Sequence, residues 1–325
     1  MIKPRTRCYR DGTLVQEGFP VAEVSDYLAD PANVVWFDLC RQDGDDLSLI
    51  QEELGLHDLA IEDVLKAGQR PKVDHYPNHL FLVAYALEVQ SDSGELTTCD
   101  ISVFITDRAF VTVHADRSFD IDGVVARWDG SQRLSGSGVP FLLHGLLDYV
   151  VDTHFAAVER LDDVIDSMED ALFDEAASDT QMQRRLFELR KSLVQARRLV
   201  LPMREVVNTV LRRDLRLSTE ELGPYFQDVY DHVLRVEQRV DDLRDLVSNM
   251  LETRLTVRGN RLNTVMKKVT SWAAIIAVPT AVTGFYGQNL PFPGYERVSG
   301  IVVSSALMLV AVTALYVTFK VKDWL

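Results

Sequence analysis

The sequence has few cysteines, and their spacing excludes several common uses. Its 325 residues include three, which are Cys8, Cys40 and Cys99. They form neither a close pair that could hold a metal nor an even set that could build a disulfide framework. We therefore expect buried thiols in a reducing compartment. The N-terminal stretch MIKPRTRCYRDGTLV also lacks the apolar core of a signal peptide, so it does not predict export of the N-terminal part.

Motifs that carry enzyme chemistry are also missing. The chain contains no Gly-x-x-x-x-Gly-Lys loop, no His-Glu-x-x-His, no Cys-x-x-Cys and no Gly-x-Ser-x-Gly. These patterns would have indicated phosphate binding, zinc hydrolysis, redox chemistry or an activated serine. We expect the histidines to be structural. The sequence therefore predicts a protein that is not an enzyme and has no organic cofactor.

Charged residues are almost absent from the C-terminal end. Beyond residue 269 the chain has two acids and three bases, which leaves 47 acids and 31 bases upstream. Those five residues are Glu296, Arg297, Lys320, Lys322 and Asp323. The acidic upstream part should repel nucleic-acid phosphates and favour cations or basic partners. We therefore predict no nucleic-acid partner.

Two uncharged runs close the chain, at residues 269–286 and 298–319. Each is close to the about 20 residues that a helix needs to cross a bilayer. The alternative is a buried hairpin of core helices. Basic residues flank the outer ends of both runs, and this favours two transmembrane helices with both termini in the cytoplasm and an external loop at 287–297. The flanking bases are Arg258, Arg261, Lys267, Lys268, Lys320 and Lys322. Residues 320–325 would then be a basic cytoplasmic tail of a multi-pass protein in the inner cell membrane.

The first part of the chain, residues 1–139, has the pattern of an α/β domain. The stretches NVVWFDL and NHLFLVAYALEV are rich in β-branched and aromatic residues, and ISVFIT and AFVTVH are two alternating runs separated by two residues. These patterns predict strands. The stretch LSLIQEELGLHDLAIEDVLK has helical spacing. A Gly/Ser/Pro-rich segment at 129–140 marks the end of the domain.

From residue 140 onward the apolar spacing is helical. Heptad-like stripes predict two long antiparallel helices within 140–217, joined near DEAASDT, and a stalk helix over 218–268 that continues into the first span. Ser218 and Glu221 have capping-box spacing, although Gly223 and Pro224 could delay the start of the stalk. The first long helix carries many acids off its stripe. They form either a solvated face or a surface that attracts cations.

Small and weakly polar residues share one face of the first span. They are Thr270, Ala273, Ala277, Thr280 and Gly284. The same face extends backward to Asn263 and Met266 and forward to Gly287, Gln288 and Asn289. Such a face has two interpretations, close helix packing or the wall of a pore. Polar groups at both ends favour the pore.

The span contains no carboxylate that could strip water from a cation. Amide and carbonyl dipoles instead suit an ion that keeps its hydration shell, and Mg²⁺ is the cation that dehydrates most reluctantly. One chain with two spans cannot enclose a channel, so a pore requires an oligomer. The membrane potential could drive entry at about 2.3 kcal/mol per charge per 100 mV.

Several segments together indicate a known family. They are YGQN at 286–289, the terminal KVKDWL, EDVLKAGQRPKVDHY at 62–76, PMREVV at 202–207 and PYFQDVYDHV at 224–233. These segments resemble those of the CorA-type magnesium channels, whose signature is Tyr-Gly-Met-Asn. They occur in the family's order and cover most of the chain. The resemblance implies a funnel-shaped homopentamer of the α+β membrane class, with an N-terminal α/β domain, acidic helices and a pore-lining stalk helix.

The resemblance also implies roles for particular residues. The Gly-x-Asn motif would hold hydrated Mg²⁺ at the outer mouth, with Asn289 as the main side-chain contact. Asn263 resembles the polar ring at the inner mouth. Val269 and Ala277 fall where the family has bulky apolar constrictions, and both are smaller here. Gln288 replaces the usual methionine.

In the family, acids at cytoplasmic subunit interfaces bind Mg²⁺ and close the channel. The matching segments assign this role to Glu62, Asp63 and Asp228, and Asp148 resembles a further contributor. Mg²⁺ would thus be both the transported and the regulatory ion. Carboxylates that face one another repel until a divalent cation bridges them. From the residues alone, the preferred interpretation of Asp63 and Asp228 is that they are ordinary surface acids or a helix cap.

Two alternatives stay open. Because the family has such branches and Gln288 is atypical, the protein could be a zinc, cobalt or nickel transporter of the same fold. It could also be a membrane-anchored cation sensor that conducts nothing. Glu296 is the acid of the external loop and a candidate for attracting cations.

Overall fold

The computed structural model describes residues 5–41, 44–66, 68–91, 93–115, 118–131, 135–170, 179–212, 217, 219–288, 291 and 297–325. The chain divides into two compact units, Met1–Met250 and Leu251–Leu325.

The described residues of the first unit form one mixed sheet of seven strands, in the order β2-β1-β3-β7-β6-β5-β4. The strands are β1 Arg5–Arg10, β2 Thr13–Glu17, β3 Asn33–Cys40, β4 Lys72–His75, β5 Leu80–Val89, β6 Leu96–Ile105 and β7 Ala109–His114. Neighbours are antiparallel except β3 and β7, which are parallel. The predicted strands at NVVWFDL, NHLFLVAYALEV and the paired ISVFIT and AFVTVH are confirmed as β3, β5, β6 and β7.

Helices account for the rest of the regular structure. They are α1 Val24–Leu28, α2 Gly44–Leu54, α3 Asp58–Leu65, α4 Ile121–Gly130, α5 Val139–Asp170, α6 Asp179–Leu211, α7 Gly223–Tyr286 and α8 Val298–Val321. Short 3₁₀ turns lie at Val21–Glu23 and Ser135–Ser137. The predicted spans lie in α7 and α8.

Helices cover both faces of the sheet because successive strand residues point to opposite sides. Trp36 belongs to the core cluster that contains residues of α4, α5, α6 and α7. Its ring meets Trp128 of α4 edge-on, with centroids 4.9 Å apart. The next residue, Phe37, belongs to the other cluster, with residues of α1, α2 and α3. Both side chains are almost fully buried, so β3 is apolar on both faces.

The stretch 47–66, which has continuous helical spacing, forms two helices rather than one. The break is at Gly55, whose φ of 61° lies in the left-handed region that glycine adopts without strain. His57 then begins α3 as its N-cap, because its Nδ1 accepts a hydrogen bond from the backbone N–H of Leu59 at 3.1 Å. Apolar spacing alone does not reveal this break.

The three long helices of the first unit bury the stripes that the sequence predicts. Leu161 on α5, Leu189 on α6 and Val240 on α7 are each fully buried. Most of the predicted junction at DEAASDT lies outside the described residues, as does Ser218 of the capping-box prediction. The helix α7 begins at Gly223, with Pro224 in its first turn, where proline costs no hydrogen bond.

A buried histidine between α5 and β5 makes stability depend on pH. The Nε2–H of His154 donates to the carbonyl of Tyr85 at 2.7 Å, and no hydrogen-bond partner of Nδ1 is found among the described residues. Burial lowers the pKa of His154 from 6.5 to about 4. The unfolded chain therefore binds this proton more readily, so the contribution is complete above pH 6.5 and is lost as the pH falls towards 4.

We expect the free energy of unfolding to fall by about 3 kcal/mol from this group over that range. Denaturant unfolding of the full chain in detergent at several pH values would measure the slope. His154→Gln keeps a donor for the Tyr85 carbonyl but does not titrate, so its slope should be smaller. Equal slopes for the two proteins would contradict the assignment to His154.

Candidate ion path and metal sites

The Gly-Gln-Asn motif begins where α7 ends. The N–H of Gly287 donates to the carbonyl of Thr283 at 2.8 Å, and the N–H of Gln288 donates to that of Phe285 at 3.2 Å. A Cβ at position 287 would lie 3.0 Å from the Thr283 oxygen, which explains why glycine suits this turn. Gly287 and Gln288 are exposed. Asn289 and Glu296 lie outside the described residues.

All the described residues of the predicted pore face are exposed. On α7 these are Asn263, Met266, Val269, Thr270, Ala273, Ala277, Thr280 and Gly284. The buried residues of the same stretch, Ser271 and Ile275, occur four residues apart and share a different face. The second unit therefore leaves the small, weakly polar face open to lipid or to other copies of the chain.

Threonine hydroxyls on α7 bond back to the helix. Thr280 Oγ1 donates to the carbonyl of Ile276 at 3.1 Å, and Thr283 Oγ1 donates to that of Pro279 at 2.8 Å. Because the hydroxyl protons are engaged in these bonds, the remaining lone pairs are acceptors. Such acceptors suit the water molecules of a hydrated cation, which present their hydrogens outward.

In the part of the chain that the structure describes, two helices are long and apolar enough to cross a membrane, Gly223–Tyr286 and Val298–Val321. Little of either apolar window is buried within the chain, which differs from the core helices of a soluble protein. Length and composition thus agree with the predicted spans.

The two acids on α3 already have basic or amide partners. Glu62 is exposed and pairs with Lys66, one turn later. Asp63 is half-buried, with Lys72 Nζ at 2.6 Å and Gln69 Nε2 at 3.2 Å. Burial is the largest single influence on the pKa of Lys72 and lowers it. The interactions of Lys72 with Asp63 and Asp74 together outweigh burial, so the pKa of Lys72 is raised. A metal ion at Asp63 would have to compete with Lys72.

A second group of candidate ligands joins α5 to α7. Asp148, Asp152 and His232 can each place one ligand atom within 4.8 Å of the others. Arg127 pairs with both acids and lies 2.7 Å from Asp152. His232 Nε2 is also 3.7 Å from Asp228, which is exposed. Through His232, this group places Asp148 near Asp228. Among the described residues, Glu62 and Asp63 are not part of the group.

Sequence analysis missed Asp152 and His232. Each lies four residues after a predicted ligand, at Asp148 and Asp228 respectively, and so shares its helix face. That spacing was the available signal. Their mutual proximity depends on how α5 packs against α7, which the spacing does not specify.

The combination of an acidic α/β region, long helices and two C-terminal spans matches known proteins along most of the chain. The family described as CorA-like Mg²⁺ transporter protein matches residues 31–322. The cobalt/magnesium transport protein CorA of Thermotoga maritima is 32% identical over 279 residues, covering 85% of this chain and 79% of the relative. The zinc transport protein ZntB of Yersinia pseudotuberculosis is 22% identical over 313 residues, covering 92% and 90%.

A solved structure supports the same architecture. The complete structure of the CorA magnesium transporter from Methanocaldococcus jannaschii superposes with a TM-score of 0.81, covering 100% of this chain and 99% of that one at 20% identity. At that identity the match shows the fold alone. The extent of the family match, together with the first relative's identity, shows that this chain belongs to the CorA-like Mg²⁺ transporter family and is a divalent-cation transporter of the membrane.

Proposed function

We propose that the protein is a homopentameric channel that admits hydrated Mg²⁺ down its electrochemical gradient. The observation that carries this proposal is the exposed face of α7 from Asn263 to Gly284, which continues to Gly287 and Gln288. Five copies of this face would enclose a path lined by small side chains, amides and hydroxyl acceptors. The face contains no carboxylate, so the ion would keep its water shell.

The outer mouth would be formed by the Gly287-Gln288-Asn289 motif, with Asn289 as the main contact. Amides contribute dipoles rather than full charges, and these can orient the water around a divalent ion without trapping it. Both termini would lie in the cytoplasm, because Lys267, Lys268, Lys320 and Lys322 flank the outer ends of the spans. The protein itself would have no catalytic role.

Internal Mg²⁺ would close the channel by binding at acids between cytoplasmic domains. The candidates are Glu62, Asp63, Asp148 and Asp228. The partners of Asp63 and Asp148 in the isolated chain are Lys72 and Arg127, respectively. These bases neutralise the acids when no metal is bound, so metal binding would exchange basic partners for a bridging cation and change subunit geometry.

Transport of a softer cation is the second candidate function. The residue group at Asp148 and Asp152 includes His232, and imidazole suits zinc, cobalt and nickel better than Mg²⁺. The family relatives include a protein named for zinc transport. Gln288 at the outer mouth adds a donor and an acceptor that the usual methionine lacks.

Flux into liposomes that contain the purified full chain tests the proposal. We expect Mg²⁺ uptake that follows an imposed membrane potential and does not require a proton gradient. Uptake of cobalt, nickel and zinc, each measured alone and in competition with Mg²⁺, would rank the alternative ions. Zinc uptake that depends on a proton gradient would favour the second candidate. Metal-dependent shape change without flux of any ion would indicate a sensor that does not conduct.

A further inference from the structure

Three cations share one face of α7 just before its apolar stretch. Arg258, Arg261 and Lys268 are spaced by three and seven residues, and a helix turns about 100° per residue, so their side chains leave on one side. Ile275, which is buried within the second unit, projects about 20° from Lys268. Of the candidate pore residues, Asn263 projects about 160° from Arg261, whereas Val269 projects about 20° from Arg258.

The charge of these cations is not balanced nearby. No Asp or Glu occurs in the sequence between Glu252 and Glu296. Arg258, Arg261 and Lys268 are exposed, and none of them forms an ion pair with the residues that the structure describes. Lys267 is also exposed but points about 100° away from Lys268. The three cations therefore form an exposed stripe of unpaired positive charge.

The end of α8 carries two further cations on a fixed turn. The N–H of Trp324 donates to the carbonyl of Phe319 at 2.9 Å, and the N–H of Asp323 to that of Lys320 at 3.3 Å, with Asp323 at a φ of 53°. This is the Schellman arrangement that ends many helices. It stacks the Trp324 ring on Phe319, with centroids 5.7 Å apart.

This turn leaves both lysines of the helix end accessible. Lys320 and Lys322 are exposed, and Lys320 Nζ also lies 5.9 Å from the centroid of the Tyr316 ring. Asp323, which follows Lys322, is also exposed and removes one unit of charge. Tryptophan and tyrosine beside lysine are typical of the membrane–water interface.

Both groups of cations meet the same surface of the membrane. Residues 287–297 alone connect the two spans, so the beginning of the first span and the end of the second lie on the same side of the bilayer. Lys268 immediately precedes the first uncharged run, and Lys320 immediately follows the second. Lys268 and Lys320 are therefore placed at the headgroup layer with Lys322 beside them, while Arg261 and Arg258 lie about 10 and 15 Å from Lys268 along α7.

We propose that this basic surface, formed by Arg258, Arg261, Lys268, Lys320 and Lys322, binds the headgroups of anionic phospholipids. Its charge is complementary to them, and it is continuous with the helix faces that enter the membrane. A basic residue near an anionic membrane strengthens binding about fivefold. Arg261 projects about 160° from Asn263, so this cation lies off the side of the helix that carries the candidate inner mouth.

Binding of labelled phosphatidylglycerol and labelled phosphatidylcholine to the full chain in detergent tests the proposal. We expect a preference for phosphatidylglycerol that weakens at higher salt. The triple variant Arg258→Gln, Arg261→Gln, Lys268→Gln should lose at least about fivefold of this preference, which is the effect of one cation at the headgroup layer. A matched control, Arg190→Gln, Lys191→Gln, Arg198→Gln, removes three exposed cations from α6 and should keep it.

Three outcomes would overturn the proposal. They are equal binding of the two lipids by the unchanged protein, the same preference in the triple variant, and an equal loss in the α6 control. If these cations instead pair with the acidic helices, the triple variant would unfold at a different temperature without lipid and keep its lipid preference. Mg²⁺ flux measured on the same preparations is a separate result, since lipid preference does not depend on which ion is transported.

Discussion

Replacing Asn289 by alanine is expected to reduce Mg²⁺ uptake at least about tenfold. In the proposed pentamer, each amide would hydrogen-bond to the water shell of a divalent ion, and hydrogen bonds to charged partners contribute about 1.5–3 kcal/mol each. Alanine removes this contact from every copy at once. Growth on low Mg²⁺ of a strain without other importers, together with uptake into liposomes, would measure the loss.

The neighbouring position supplies the control for this variant. Gln288→Met introduces the family's usual residue and should keep Mg²⁺ uptake, because Asn289 and the glycine turn at Gly287 are unchanged. Both variants must be present in the membrane in equal amounts and assemble to the same size. Normal growth of the Asn289→Ala strain on low Mg²⁺ under these conditions would show that Asn289 is not part of the selectivity site.

Removing Asp63 and Asp228 together is expected to raise the internal Mg²⁺ concentration needed for closure at least about tenfold. Even residues that only support a metal ligand change affinity by about 10–100-fold, and these two are proposed as direct ligands. Asp63→Ala also removes the acid that lies 2.6 Å from Lys72, which then keeps Asp74 as its partner. Flux measured against internal Mg²⁺ in liposomes gives the closing concentration.

Two nearby acids provide a matched control for the sensor. Asp74 also pairs with Lys72, and Asp231 lies three residues after Asp228 on α7. The variant Asp74→Ala, Asp231→Ala removes the same charge and should close at the unchanged Mg²⁺ concentration. The sensor assignment fails if the two double variants close alike, or if Asp63→Ala with Asp228→Ala has no effect.

The long-helix and membrane parts of the fold could be predicted because their signals are local. Apolar residues such as Leu161 and Val240 recur along one face of each long helix. Burial of that face requires only another helix that also has an apolar face. An uncharged run of about 20 residues likewise specifies a span by length. The break at Gly55 was missed because a single glycine is tolerated within helices, and the N-cap bond at His57 becomes visible only in the folded chain.

The candidate metal sites were only partly predictable. Glu62, Asp63, Asp148 and Asp228 were named from family segments, but Lys72 of β4 and Arg127 of α4, which pair with Asp63 and Asp148, come from other elements. Arg127 lies on α4 and reaches acids on α5, a contact between positions distant in sequence. The four-residue spacing from Asp228 could suggest His232 as a ligand, but only the packing of α5 against α7 places His232 near Asp152.

The sequence by itself determined the order of the parts, the two spans, the small polar face of α7 and the family motif that ends it, since each depends on residues close together in the chain. Only the tertiary structure decided which acids meet which bases and how His154 is buried. It also decided which face of α7 is covered, at Ser271 and Ile275, and which stays open at Thr270 and Ala273. Those features arise from packing between distant segments, and helical periodicity is the same whichever face the neighbours cover.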